Sequence, residues 1–193
     1  MVEEAGFDIH TPLTSLPGDD NYYFYVSGPD RELIDINTMG HHRFAHVHLF
    51  ADDVNETTDW YANHLGLTPL SKSVPDPMGD MTTFQSIWMN IIPCDNVTII
   101  VFEKPDLDPP PFWWPDPPLK ELHPTGDRPI AHLAFSYTDL DAAFSRMKDA
   151  GATIIHPIRS DESLKLRSFY FEGPNRVQIE IVEARPIPEG LWE

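Results

Sequence analysis

Residues Ser168–Glu183, SFYFEGPNRVQIEIVE, read as strand, tight turn, strand. Aromatics alternate as far as Gly173-Pro174-Asn175, a run with turn chemistry. Beyond it Val177, Ile179 and Ile181 alternate with Gln178, Glu180 and Val182. Period two puts Glu180 on the face opposite the branched apolar residues. That carboxylate is either an ordinary solvent-facing strand residue or part of a site, and the rest of the chain decides which.

The same pattern occurs earlier. Shifted by 145 positions, the N-terminal segment falls on the C-terminal one without a gap, with twelve identities over residues 5–37. Phe24-Tyr25 falls on Phe169-Tyr170, Gly28-Pro29 on Gly173-Pro174, and Ile34 and Ile36 on Ile179 and Ile181. Asp35 takes the place of Glu180, so a carboxylate is kept there. A third, more drifted copy lies between. His46 precedes Asp53 by seven residues, as His132 precedes Asp139. Each histidine sits on a short strand, followed by an acidic turn and a helix that stops at glycine. In the later helix Leu140, Phe144 and Met147 form one apolar stripe. Thr138 with Asp141 suggests a capping box, and Gly151 a left-handed C-terminal position. Val97–Glu103, VTIIVFE, closes the middle copy as VQIEIVE closes the last.

The expected unit is strand, helix, then two or three strands. Residues 44–104 and 129–185 each hold one, and residues 1–37 hold only the back half of another. This half unit leads us to expect that the sequence starts inside a longer protein or that its start is misassigned. Residues 105–128 are dense in proline and read as a semi-rigid linker. Phe112, Trp113 and Trp114 in that segment are expected to pack on a unit or to cover a pocket mouth.

Composition narrows the function. The chain has 193 residues and a net charge of −18, which argues against nucleic acid and anionic membranes as partners. No apolar run reaches the ~20 residues of a spanning helix. Cys94 is the sole cysteine, so no internal disulfide forms. The opening MVEEAGFDIH lacks signal-peptide features, which leaves the cytoplasm as the default compartment.

Taken by faces, His46, His48 and Phe50 share one side of their strand, and His132, Ala134 and Ser136 one side of theirs. Leu133 and Phe135 suit packing under a helix, which leaves the histidine side for the site. With Glu180 on that side, His46, His132 and Glu180 form a two-histidine, one-carboxylate ligand set for a divalent metal. Zn²⁺ with three protein ligands and a water is chemically possible as well. His41, His42, His46 and His48 also allow a local metal tract.

The order of elements, the His-to-Asp spacing, Leu65-Gly66 at the helix end, and the pattern Phe171-x-Gly173-Pro174 followed by Glu180 together resemble the vicinal oxygen chelate superfamily. That group includes glyoxalase I, extradiol dioxygenases and bleomycin-resistance proteins. The resemblance implies an α+β fold in which paired βαβββ modules form a cupped mixed sheet, here preceded by a C-terminal half-module. It implies one divalent ion, Fe²⁺ first, with Mn²⁺, Zn²⁺ or Ni²⁺ as alternatives, bound by His46, His132 and Glu180. It places Ile100 where glyoxalase-type sites carry a ligand, which favours the dioxygenase pattern. That pattern also keeps a tyrosine ten residues before the glutamate, here Tyr170, to contact substrate. The histidine it carries a few residues before the Phe-Tyr pair is replaced by Asp161–Leu164, so His48 becomes the candidate acid-base group. The expected partner is a small oxygenated molecule, with homodimerisation possible. Other readings are a non-catalytic binding protein, for which Trp88, Trp113 and Trp114 would suit an apolar groove, and an assembly subunit.

Overall fold

Strand β10 (Leu166–Glu172) and strand β11 (Gln178–Glu183) form the antiparallel hairpin expected from the sequence, with Tyr170 directly opposite Glu180. The turn is a single 3-10 turn at Pro174–Arg176, entered by an N–H···O bond of 2.8 Å from Gly173 to Val177. A Cβ on Gly173 would stand 2.6 Å from the end of the Ile179 side chain, which would have to shift to admit it. The structure, a computed structural model, describes residues 4–15, 20–28, 32–40, 43–72, 89–95, 97–103 and 132–185. The proline-rich linker with Phe112, Trp113 and Trp114, and also Trp88, His41 and His42, lie outside the described residues.

The chain divides into two compact units, Met1–Leu122 and His123–Glu193. The second contains β8 (Leu133–Tyr137), helix α2 (Leu140–Asp149), β9 (Thr153–Asp161) and the hairpin. Its sheet order is β8-β11-β10-β9, with β8 and β11 parallel and the other pairs antiparallel. Leu140, Ala143 and Met147 of α2 are buried, as are Phe169, Phe171, Ile179 and Ile181 of the sheet. Burying each large apolar side chain contributes roughly 1.5–3 kcal/mol, so this helix–sheet layer holds the unit together. Gly151 follows the helix at φ 78°, the expected left-handed position.

The first unit contains two sheets. Strands β1 (Asp8–Ser15), β2 (Tyr22–Ser27) and β3 (Leu33–Asn37) form an antiparallel sheet in that order. Strand β4 (His46–Ala51), helix α1 (Val54–Leu65), β5 (Ser71–Lys72), β6 (Met89–Cys94) and β7 (Val97–Glu103) follow, with sheet order β4-β7-β6-β5. This second sheet repeats the pattern of β8-β11-β10-β9, including one parallel pair at the edge. Buried Asn90 is held by its amide, which donates to Thr58 at 2.9 Å and Asn55 at 3.2 Å on α1. Ile34 and Ile36 are 43% and 41% exposed, whereas their repeat counterparts Ile179 and Ile181 are fully buried beneath α2. Among the described residues no helix precedes β1, so the outer face of β3 has no such cover. The fold is α+β with mixed sheets. Neither described helix is long and apolar enough to cross a membrane.

The capping expectation at α2 needs correction. The N-cap is Asp139, not Thr138: its carboxylate accepts the Ala142 N–H at 2.9 Å. Asp53 caps α1 in the same way, accepting the Glu56 N–H at 2.8 Å. The aspartate seven residues after each histidine is therefore the helix cap, and its short side chain reaches the free N–H groups of the first turn. Asp139→Ala should lower stability by about 1 kcal/mol in denaturant titration, and Thr138→Ala by clearly less.

Candidate functional site

The register of each sheet arranges the polar residues in a row. In the second unit His156 on β9, Tyr170 on β10 and Glu180 on β11 are successive cross-strand partners. His132, just before β8, extends the row, its Nε2 lying 3.2 Å from Glu180 Oε2. Glu180 is only 7% exposed, which is unusual for a strand carboxylate and rules out an ordinary solvent-facing position. The Tyr170 hydroxyl donates a hydrogen bond to the Glu180 carboxylate. Burial, then this bond and the carboxylate's charge, push the phenol up to about 12, so it stays a donor through the neutral range. The rings of His132 and His156 meet Tyr170 edge-on, at 5.3 and 5.7 Å between centroids.

The first unit repeats the row. Thr11, Tyr25 and Asp35 are successive cross-strand partners, at the positions of His156, Tyr170 and Glu180. His46 on β4 stands to Asp35 as His132 stands to Glu180, with 3.0 Å between Nε2 and Oδ2. His48 lies beside it. The His46 and His48 rings stack at 4.7 Å and 13°, and Phe102 meets His48 edge-on at 4.8 Å. The possible ligand atoms of Asp35, His46 and His48 all lie within 4.8 Å of one another. Asp35 Oδ1 is buried and has no hydrogen-bond partner among the described residues. Burial, reinforced by His46, lowers the His48 imidazole to about 4, so it is neutral at physiological pH. Burial likewise raises Tyr25, helped by Asp35 and Tyr23, and keeps its phenol protonated.

Thus His132, Glu180 and Tyr170 come together in one unit, and His46 and His48 in the other. Ile100 lies on β7 directly opposite His48. Two residues escaped the reading from sequence. Asp35 was seen to match Glu180, but its strand was assigned to a unit without a histidine of its own; His46 of the next unit fills that place. His156 was missed because an acid-base histidine was sought just before Phe169-Tyr170. The cross-strand neighbour of Tyr170 is further upstream, on β9.

Residues 43–181 match the Glyoxalase/Bleomycin resistance protein/Dioxygenase superfamily. The chain belongs to this superfamily. Solved structures agree on the fold. A glyoxalase I mutant from Zea mays is 14% identical, with TM-score 0.68 over 94% of this chain and 61% of that one. The fosfomycin resistance protein FosX from Listeria monocytogenes is 17% identical, with TM-score 0.52 over 76% and 96%. A protein of unknown function from Agrobacterium tumefaciens is 23% identical, with TM-score 0.53 over 77% and 98%. A search of the curated proteins gives no match.

The neutral His48 makes a pH prediction for this superfamily member. The unfolded chain takes up a proton there as pH falls through the ordinary histidine value of 6.5, while the folded chain resists until about 4. A folded-state value below the unfolded one means that this source of stability is intact above pH 6.5 and declines as pH falls below it. In metal-stripped protein the urea midpoint should therefore drop between about pH 7 and pH 5, and drop less in His48→Gln.

Proposed function

We propose that the chain is a metal-dependent enzyme of the superfamily acting on a small oxygenated organic molecule. The supporting observation is the histidine–carboxylate couple made twice at repeat-equivalent positions, His132–Glu180 and His46–Asp35, at 3.2 and 3.0 Å. Both couples offer imidazole nitrogen and carboxylate oxygen, the donor set of the first-row divalent ions. The residues fit such an ion: Asp35 lies beside two imidazoles and keeps a buried oxygen without a partner among the described residues. When bound, a divalent ion supplies Lewis-acid polarisation of two adjacent substrate oxygens, with oxygenase chemistry open to Fe²⁺ and lyase or isomerase chemistry to Mn²⁺, Zn²⁺ or Ni²⁺.

The chain's own residues do the rest. Tyr170 donates its one proton to Glu180 and holds it in place, leaving the phenol oxygen to accept from a substrate hydroxyl. His156, exposed on the same row, is placed to take or give a proton. His48 is buried and neutral, which suits it to a ligand or packing role better than to the acid-base role expected from sequence. A second reading, a binding protein without turnover, draws support from Ile100 at the position where Glu180 stands in the last strand.

Metal analysis after purification without chelator tests the proposal, with His46→Ala, Asp35→Ala, His132→Ala and Glu180→Ala alongside. The parent should hold a divalent ion and each variant should hold less. A combined His46→Ala/Glu180→Ala variant that loses no more than either single one would support the set His46, His132 and Glu180; additive losses would support separate couples. A parent that binds none of the four ions overturns the enzyme reading in favour of the binding protein. Turnover of catechols against hemithioacetals of glutathione then separates the two chemistries.

A further inference from the structure

The middle copy lacks a carboxylate on its last strand, and the register shows what stands beside the gap. In the second unit Glu180 on β11 pairs with Ala134 on β8. In the first unit the same two sheet positions are Ile100 on β7 and His48 on β4. The small residue and the ligand have traded strands: alanine opposite glutamate in one unit, histidine opposite isoleucine in the other. Paired residues of neighbouring strands point to the same face, about 4.8 Å apart, so a donor moved across that gap stays at the same level of the sheet.

We infer that His48 is a metal ligand, replacing across the β4–β7 pair the carboxylate that Ile100 lacks, and completing with Asp35 and His46 a three-ligand divalent-metal site inside the first unit. This deepens the proposed metal dependence and rests on it. The geometry carries it in three ways. The three ligand atoms lie within 4.8 Å of one another, while bonds of about 2.1 Å at the right angles of a facial set hold donors ~3.0 Å apart, so closing on an ion takes at most about two ångströms of side-chain movement. Asp35, a member of the cluster, keeps its Oδ1 buried without a partner among the described residues. His48 is held in place before any ion arrives, stacked on His46, with Phe102 and Tyr25 edge-on at 4.8 and 6.4 Å. Two imidazoles and one carboxylate are a complete facial ligand set, with positions left for substrate.

The test uses Co²⁺ binding to the full chain, read by equilibrium dialysis and by the visible spectrum of the bound ion, in a His132→Ala/Glu180→Ala background that silences the second unit's couple. Co²⁺ should bind this background. His48→Gln should weaken binding by more than the roughly 10–100-fold that loss of an outer hydrogen bond causes, and alter the spectrum of whatever ion remains. Ile100→Glu added to His48→Gln should restore binding, because it returns the carboxylate to the strand where Glu180 carries it. Co²⁺ lost with His46→Ala and Asp35→Ala but retained with unchanged affinity and spectrum in His48→Gln would overturn the inference and leave the proposed function standing. Failure of the parent and the background alike to bind Co²⁺ would overturn both.

Discussion

A carboxylate pressed into the face of a sheet must be met by a donor or a cation, and that need organises both units. Removing an ionised group from water without a partner costs several kcal/mol, enough to cancel much of a small unit's stability. Glu180 is answered by the His132 imidazole at 3.2 Å and the Tyr170 hydroxyl across the strand pair, and Asp35 by the His46 imidazole at 3.0 Å on one oxygen, with Tyr25 as its cross-strand neighbour. The tyrosine depends on the strand register, and the imidazole on bringing the histidine strand alongside. In the second unit this is the parallel contact of β8 with β11, which only a crossover can make. That crossover runs through helix α2 and strands β9 and β10, so the stripe that buries Leu140 and Met147 helps deliver His132 to Glu180.

The local parts of this arrangement were legible in the sequence. Period-two alternation and Gly173-Pro174-Asn175 defined the hairpin, and the repeat offset paired Asp35 with Glu180 before any coordinates. The helical stripe and Gly151 were equally plain, since each depends on residues within a turn or two. The cap was misplaced by one residue because Thr138 and Asp139 are both good N-caps; backbone geometry, not composition, selects between them.

The non-local parts were harder. Strand order does not follow from alternation, so His132 and Glu180 could be assigned a common face but not a distance. Asp35 and His46 meet across two separate sheets of the first unit, a relation that no periodicity encodes. His156 was hidden by the shift in the β9–β10 register beside Tyr170, which moves its partner away from the position that simple counting suggests.

Two buried polar atoms lack partners among the described residues, Tyr61 Oη and Asp35 Oδ1, and they differ in kind. Tyr61 is a fully buried α1 residue, and burial alone keeps its phenol protonated. An unmet neutral hydroxyl costs about 1–3 kcal/mol, which a large packed ring offsets. Asp35 gains no such packing. Its free oxygen is part of an anion beside two imidazoles, and His48 is held neutral by its surroundings. The balancing positive charge has to come from His46 or from a bound cation. Only the cation would also engage the oxygen that His46 does not reach. A local arrangement that is poor for folding but right for an ion is where selection for function, rather than for stability, is expected to show.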